Sequence, residues 1–92
     1  MIMKNKKFSI KQGYVAREIA GEYIAVPVDS SVSSNIVVLN PVSKFLWDEL
    51  ATEKSFDELL DAMLKNYDVS KDEAETDLKE FLMQLLENGL LK

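Results

Sequence analysis

The sequence predicts one small α+β domain in which three antiparallel strands precede three helices. Residues 14–39 are rich in β-branched and aromatic side chains, and short polar or glycine-containing segments interrupt them, as in hairpins. From Asn40 onward, apolar residues recur at three- and four-residue spacing, and three N-cap motifs divide this half into helices. A chain of 92 residues is long enough for one domain with a modest core.

The strands are predicted from composition and from turn residues. Ala20 and Gly21 precede the aromatic and β-branched run at residues 23–28, which indicates a hairpin. Pro27 has no amide hydrogen, so we expect it near the end of its strand or at an unpaired edge. Residues 29–34 (DSSVSS) form a polar turn, and residues 35–39 (NIVVL) form the third strand.

Each predicted helix begins at a capping residue. Asn40 can accept a free amide hydrogen, and Pro41 fits the first helical position, where no amide donor is needed. Ser55 and Glu58 have the spacing of a capping box, in which each side chain bonds the other residue's amide. Ser70 is likewise followed by a carboxylate three residues later. Three helices therefore follow the sheet.

The third helix is apolar over more of its circumference than one core contact needs. At roughly 100° per residue its core face forms a narrow arc, and Leu82 and Leu86 lie to one side of that arc. Met83 lies further round, beside Lys79. The core face consists of Ala74, Leu78, Phe81 and Leu85. The additional apolar residues either widen the core stripe or contact a partner.

Composition excludes several classes of chemistry. The chain contains no cysteine and no histidine, so it holds no Cys/His metal centre, no disulfide and no Ser-His or Cys-His nucleophile. Paired carboxylates at the helix starts are explained by the helix dipole and by solvation. We therefore expect a protein that is not an enzyme and that uses neither a cofactor nor a metal.

The two ends of the chain differ in charge. Residues 1–54 hold seven Lys or Arg against six Asp or Glu, whereas residues 55–92 hold four against ten. We expect residues 1–13, with four lysines, to form a flexible basic arm and residues 14–92 to form the domain. No apolar segment resembles a signal peptide or a membrane span, so we expect a cytoplasmic protein with no membrane partner.

The third predicted strand is an unprotected sheet edge. An edge strand leaves every second amide and carbonyl unpaired, and native edges usually carry lysine, proline or a bulge that prevents further pairing. Residues 35–39 contain no lysine or proline. This edge can therefore pair with another extended chain, or with a second copy in a homodimer.

Three segments, in this order and spacing, closely resemble the PqqD-like family, the peptide-binding domains that are also called RiPP recognition elements. The segments are LNPVSKFLWDEL (39–50), SFDELLDAMLKNYDVS (55–70) and DLKEFLMQLLENGLL (77–91). Many members have an acidic residue and a glycine just before the second helix, where this chain has residues 51–54 (ATEK).

The resemblance implies a winged helix-turn-helix-like fold and a non-catalytic role in the biosynthesis of peptide natural products. In such domains the leader of a ribosomally made precursor peptide adds as a strand beside the third strand, and the third helix forms the other wall. The domain then presents the peptide to a modifying enzyme, often a radical S-adenosylmethionine enzyme. The peptide-binding residues expected on this basis are Asn35, Ile36, Val37, Val38, Leu39, Lys79, Leu82, Met83 and Leu86.

A winged-helix DNA-binding domain is the alternative with the same element order. Its third helix would enter the major groove and neutralise phosphates with lysine and arginine. Residues 70–88 instead hold two lysines against six carboxylates, so the duplex would repel this helix. We therefore expect no nucleic-acid partner, and a protein-interaction or dimerisation module remains the other alternative.

Overall fold

A computed structural model describes residues 6–28 and 37–92. The strands are β1 (Lys7–Phe8), β2 (Tyr14–Ile19), β3 (Glu22–Pro27), β4 (Val37–Leu39) and β5 (Lys54–Ser55). The helices are α1 (Pro41–Glu49), α2 (Phe56–Asn66) and α3 (Lys71–Glu87). The predicted α+β fold, with a three-stranded antiparallel sheet followed by three helices, is confirmed.

The main sheet has the strand order β2-β3-β4, and both pairings are antiparallel. Ile19 pairs with Glu22 across a two-residue turn. The turn residues Ala20 and Gly21 have φ angles of 53° and 84°, the positive values that a tight type I′ hairpin turn requires. Pro27 is the last residue of β3, as expected from its missing amide hydrogen.

The third strand is described from Val37 to Leu39 only. Of its predicted residues, Asn35 and Ile36 lie outside the described part of the chain, as does the predicted turn at residues 29–34. The described part of this edge therefore consists of the three residues of β4.

The helix caps form as the sequence predicts. The side chain of Asn40 accepts a hydrogen bond from the Ser43 amide at 2.8 Å, and Ser70 accepts one from the Glu73 amide at 3.1 Å. Ser55 and Glu58 form both bonds of the capping box, at 3.1 and 2.8 Å. The hydrogen bond from the Ser55 backbone holds the pKa of Glu58 below its ordinary value of 4.5.

One hydrophobic core joins the sheet to the helices. Ala25, Val37 and Leu39 face it from the sheet. The helices contribute Leu46, Trp47, Phe56, Leu59, Leu60, Met63, Ala74, Leu78, Phe81, Leu82 and Leu85. Phe45 packs against the margin of this core, and the ring of the half-buried Tyr67 lies edge to face with the Phe45 ring at 5.4 Å between centres. No helix in the described ranges 6–28 and 37–92 is both long and apolar enough to cross a membrane.

Of the flexible basic arm expected over residues 1–13, the structure describes residues 6–13, and several of these bond to the helical half. β1 pairs with β5, and the Phe8 side chain is buried in the core. The Ile10 and Lys11 amides donate to the carbonyls of Leu50 and Leu90 at 3.1 and 2.7 Å. Residues 7–11 are thereby attached to the helical half. A two-residue strand with one apolar side chain has no detectable period, so the sequence pattern did not reveal this pairing.

Replacing Phe8 with alanine tests whether this segment is part of the folded core. Loss of a buried phenyl ring should lower the free energy of unfolding by about 3 kcal/mol. Urea unfolding followed by Trp47 fluorescence measures the change, and Lys11→Ala, at an exposed side chain in the same segment, is the matched control. If both variants unfold at the wild-type midpoint, the segment does not contribute to the core.

Candidate functional site

The free edge of the main sheet belongs to β4. β4 pairs with β3 on one side, and no strand within the described residues pairs with its other side. A strand with one open edge offers backbone donors and acceptors to another extended chain. In an antiparallel ladder only alternate residues of such a strand offer them.

The hydrogen-bonding pattern of the β2–β3 pair decides which residues of β3 face β4. The Val28 amide donates to the Gly13 carbonyl at 2.7 Å, which makes these two residues a hydrogen-bonded pair in the register of the hairpin. Because hydrogen-bonded and non-hydrogen-bonded pairs alternate in an antiparallel ladder, the backbone groups of Tyr23 and Ala25 point away from β2. They therefore point toward β4.

The same alternation continues into β4. Tyr23 pairs with Leu39 and Ala25 pairs with Val37, so the backbone groups of Leu39 and Val37 are directed at β3. Val38, between them, has its amide hydrogen and carbonyl oxygen directed at the open edge. Five strand residues are predicted to bind peptide, and the structure describes three of them, Val37, Val38 and Leu39. Among these three, Val38 has the backbone groups that can bond to a peptide at the open edge.

The side chains of β4 alternate between the core and the outer face of the sheet. Val37 and Leu39 are 2% and 3% exposed and belong to the core, whereas Val38 is 58% exposed on the outer face of the sheet. An apolar side chain left in solvent beside unpaired backbone groups is consistent with a surface that another chain covers.

A cleft lies between the start of α1 and the middle of α3, and Asn40, the residue after β4, is part of its lining. We call it the α1–α3 cleft; its volume is about 220 Å³. From the α1 side it is lined by Asn40, Val42, Ser43 and Leu46. From α3 it is lined by Asp77, Glu80, Phe81 and Gln84. Because Asn40 directly follows β4, the cleft begins where the open edge ends.

A second depression, here called the outer pocket, lies where β4 leads into α1, beside the turn between β2 and β3. Residues 21–23 and 38–41 line its volume of about 400 Å³, and Val38 and Pro41 supply apolar surface to it. Asn40 lines both depressions, so they flank one point of the chain. An extended peptide paired with β4 would direct alternate side chains to the two faces of the sheet.

The α1–α3 cleft is acidic. Asp77 and Glu80 are the charged residues that line it, and both are exposed. Lys44 is the first basic residue of α1. Its Nζ lies 2.7 Å from the Asp48 carboxylate and 5.2 Å from the centre of the Tyr23 ring. Lys44 does not line the cleft, and its salt bridge is to Asp48 instead of Asp77 or Glu80.

The predicted residues of α3 do not lie in this cleft. Leu82 is 1% exposed and lies in the core, whereas Lys79, Met83 and Leu86 are exposed. At 100° per residue these three lie roughly 140° around the helix from the residues that line the cleft. Lys79, Met83 and Leu86 are absent from the lining of the α1–α3 cleft, and their contact with a peptide stays a prediction.

Sequence reasoning missed the residues of α3 that do line the cleft. Asp77, Glu80, Phe81 and Gln84 have the i, i+3, i+4, i+7 spacing of one helical face. Three of the four are polar, so apolar character, the signal expected of peptide contacts, does not mark that face. The single apolar member, Phe81, was assigned to the core and is 4% exposed.

The site offers backbone groups for hydrogen bonding and two carboxylates. The chain has neither cysteine nor histidine. Within residues 6–28 and 37–92, no cluster of three or more acidic side chains is arranged to hold a metal ion.

The sequence was compared with models of known protein families, and the structure with solved structures. A model of the family described as "Coenzyme PQQ synthesis protein D (PqqD)" matches residues 22–91. The chain belongs to the PqqD family. The matched range begins at Glu22, the first residue of β3, and it includes β4 and both walls of the α1–α3 cleft.

Two solved structures resemble this PqqD-family chain over nearly their whole length. One is TbiB1 in complex with the TbiA(beta) leader peptide, with a TM-score of 0.72, 26% identity, and coverage of 91% of this chain and 94% of that one. The other is lasso peptide synthetase B1 complexed with the leader peptide, with a TM-score of 0.71, 18% identity, and coverage of 92% and 96%. The second, at 18% identity, shows the fold alone. No curated protein matched the sequence.

Amide hydrogen exchange tests the assignment of the open edge in the free protein. We expect the Val38 amide to exchange at least about tenfold faster than the Val37 and Leu39 amides, because only the latter two bond to β3. Nitrogen-15 NMR measures all three rates in one sample, with the Tyr23 amide as a paired control. Equal protection of Val37, Val38 and Leu39 would show that the alternation is wrong.

Proposed function

We propose that this PqqD-family domain binds the leader of a ribosomally made precursor peptide as an additional strand on β4 and presents it to a separate modifying enzyme. Membership of the family and the leader peptide bound in the structure that is 26% identical support a peptide ligand. The observation that carries the proposal is the open backbone of Val38 beside the α1–α3 cleft. The domain itself performs no chemistry in this account.

The backbone of Val38 would fix the peptide in one register. Its amide hydrogen and carbonyl oxygen would each bond to one peptide residue, as in other cases of strand addition. Two such hydrogen bonds contribute only about 1–3 kcal/mol together, because water is displaced from both partners. Side-chain contacts on either side of the edge must therefore supply most of the affinity and all of the specificity.

The two sides of the edge would receive different side chains. The peptide residue opposite Val38 would direct its side chain outward, next to the exposed Val38 side chain and the outer pocket. Its neighbours, opposite Val37 and Leu39, would direct theirs toward the helical side. Leu46 and Phe81 of the α1–α3 cleft belong to the same core as Val37 and Leu39, so the cleft lies on that side.

The enzyme that would act on the bound peptide is a separate partner. A radical S-adenosylmethionine enzyme is the class that the sequence resemblance implies. Catalytic groups of the commonest kinds are missing from the chain, which has no cysteine or histidine. The division of labour is thus binding here and chemistry elsewhere.

Self-association through the same edge is the second candidate, because an exposed Val38 and an open backbone can also pair with a second copy. Sedimentation velocity across a range of concentrations separates the two functions. A dimer that dissociates when peptide is added would show that both use β4.

Replacing Val38 with proline tests strand addition directly. The substitution removes the amide that faces the open edge and spares the bonds to β3, so the fold should persist while peptide binding weakens at least about tenfold. Val38→Ala keeps the amide and is the matched control for loss of the side chain, and it should weaken binding less than Val38→Pro because it removes only apolar contact. The probe is a fluorescent peptide of about 12 residues, selected by display against the wild-type protein, and anisotropy gives its Kd.

The same probe distinguishes the two faces of α3. Leu86→Ala should leave its Kd unchanged if recognition occurs at the α1–α3 cleft, whereas a marked loss of affinity would support the site predicted from sequence at Lys79, Met83 and Leu86.

If Val38→Pro is folded by circular dichroism and binds as tightly as the wild type, strand addition on β4 is wrong. Should the variant not fold, N-methylation of each peptide amide in turn tests the same hydrogen bonds from the peptide side.

A further inference from the structure

The α1–α3 cleft combines an apolar base with a carboxylate rim. Val42, Leu46 and Phe81 form its apolar part, and two carboxylates, Asp77 and Glu80, bring negative charge to its α3 side. A lysine or arginine side chain has the complementary construction, since its methylene stem packs on apolar surface while its charged end stays near water. Acidic side chains would be repelled from the same position.

The two carboxylates lack a cationic partner within the described residues. The salt bridges there join Lys44 to Asp48 and Lys65 to Asp61, and neither involves the cleft. Asp77 and Glu80 are also three residues apart on one helix, a spacing at which like charges repel. A cation bound between them would relieve that repulsion, which adds to the direct attraction.

The register of the open edge directs alternate peptide side chains toward the side of the sheet on which this cleft lies. Peptide residues opposite Val37 and Leu39 face the helical side of the sheet, and Asn40, which follows Leu39, lines the cleft. The residue opposite Val38 faces the other way, next to the apolar Val38 side chain. Adjacent peptide residues therefore meet two environments of opposite character.

We propose that the bound peptide carries a lysine or arginine whose side chain enters the α1–α3 cleft, directly next in sequence to an apolar residue that covers Val38. The inference rests on the proposed function, because it assumes a strand on β4. It assigns Asp77 and Glu80 as the residues that determine the specificity of that site. The net charge of −5 on the whole chain favours the same class of peptide at longer range.

A display selection tests this specificity, because the library itself supplies the peptide ligands. A random library of peptides of about 12 residues is selected in parallel against the wild type, the Asp77→Asn/Glu80→Gln double variant, and Val38→Pro. The Glu53→Gln/Asp68→Asn double variant is the matched control, because it removes the same charge from positions outside the cleft. Wild type and control should both enrich an apolar residue next to a lysine or arginine, and the cleft variant should lose the basic preference.

Affinities then give the size of the effect. Changing the selected lysine to norleucine, or the selected arginine to citrulline, should weaken binding to the wild type about threefold to tenfold at low salt, and hardly at all to the cleft variant. This comparison uses wild-type protein, so it remains decisive if the cleft variant folds poorly.

The outcomes separate the two proposals. Selected peptides that need the Val38 amide but show no basic preference, or keep it in the cleft variant, would overturn the inference and leave strand addition standing. Failure to select any peptide, or selection of peptides that bind Val38→Pro equally well, would overturn strand addition and the inference with it.

Discussion

The alternation of backbone hydrogen bonds across the main sheet is the constraint on which the site depends. It is set in the hairpin, where the turn at Ala20 and Gly21 fixes the pairing of Ile19 with Glu22. The pairing of β2 with β3 also determines which residues of β3 and β4 bond to each other, because each residue of an antiparallel strand bonds to one side only. The backbone amide and carbonyl of Val38 point to the open edge because the turn is at Ala20 and Gly21. A shift of one residue would expose the backbone of Val37 and Leu39 and turn their side chains out of the core.

The remaining parts of the structure hold this edge against the helices. Val37 and Leu39 anchor β4 in the core, and the Asn40 cap starts α1 immediately after it. The position of the α1–α3 cleft follows from that short connection, since Asn40 borders both the strand and the cleft. The shape of the site is thus a consequence of local chain geometry, and its charge is contributed by one face of α3.

Most of the fold could be predicted from the sequence, because its signals are local. The caps at Asn40, Ser55 and Ser70, the proline at the end of β3, and the apolar period of the helices each depend on residues within a few positions of one another. The pairing of Phe8 with the segment before α2 joins residues far apart in the chain, so no local pattern indicated it. The cleft was missed for a related reason. Apolar character pointed to Leu82, Met83 and Leu86, whereas the tertiary arrangement places a mainly polar face of α3 opposite the start of α1.

Amide exchange at Val38 in the presence of a selected peptide is the most direct measurement of the central claim. If the peptide adds as a strand, saturating peptide should slow exchange of the Val38 amide by at least about tenfold, while the Val37 and Leu39 amides, already bonded to β3, should change little. A peptide that binds tightly yet leaves the Val38 amide as fast as in the free protein would contradict strand addition on β4.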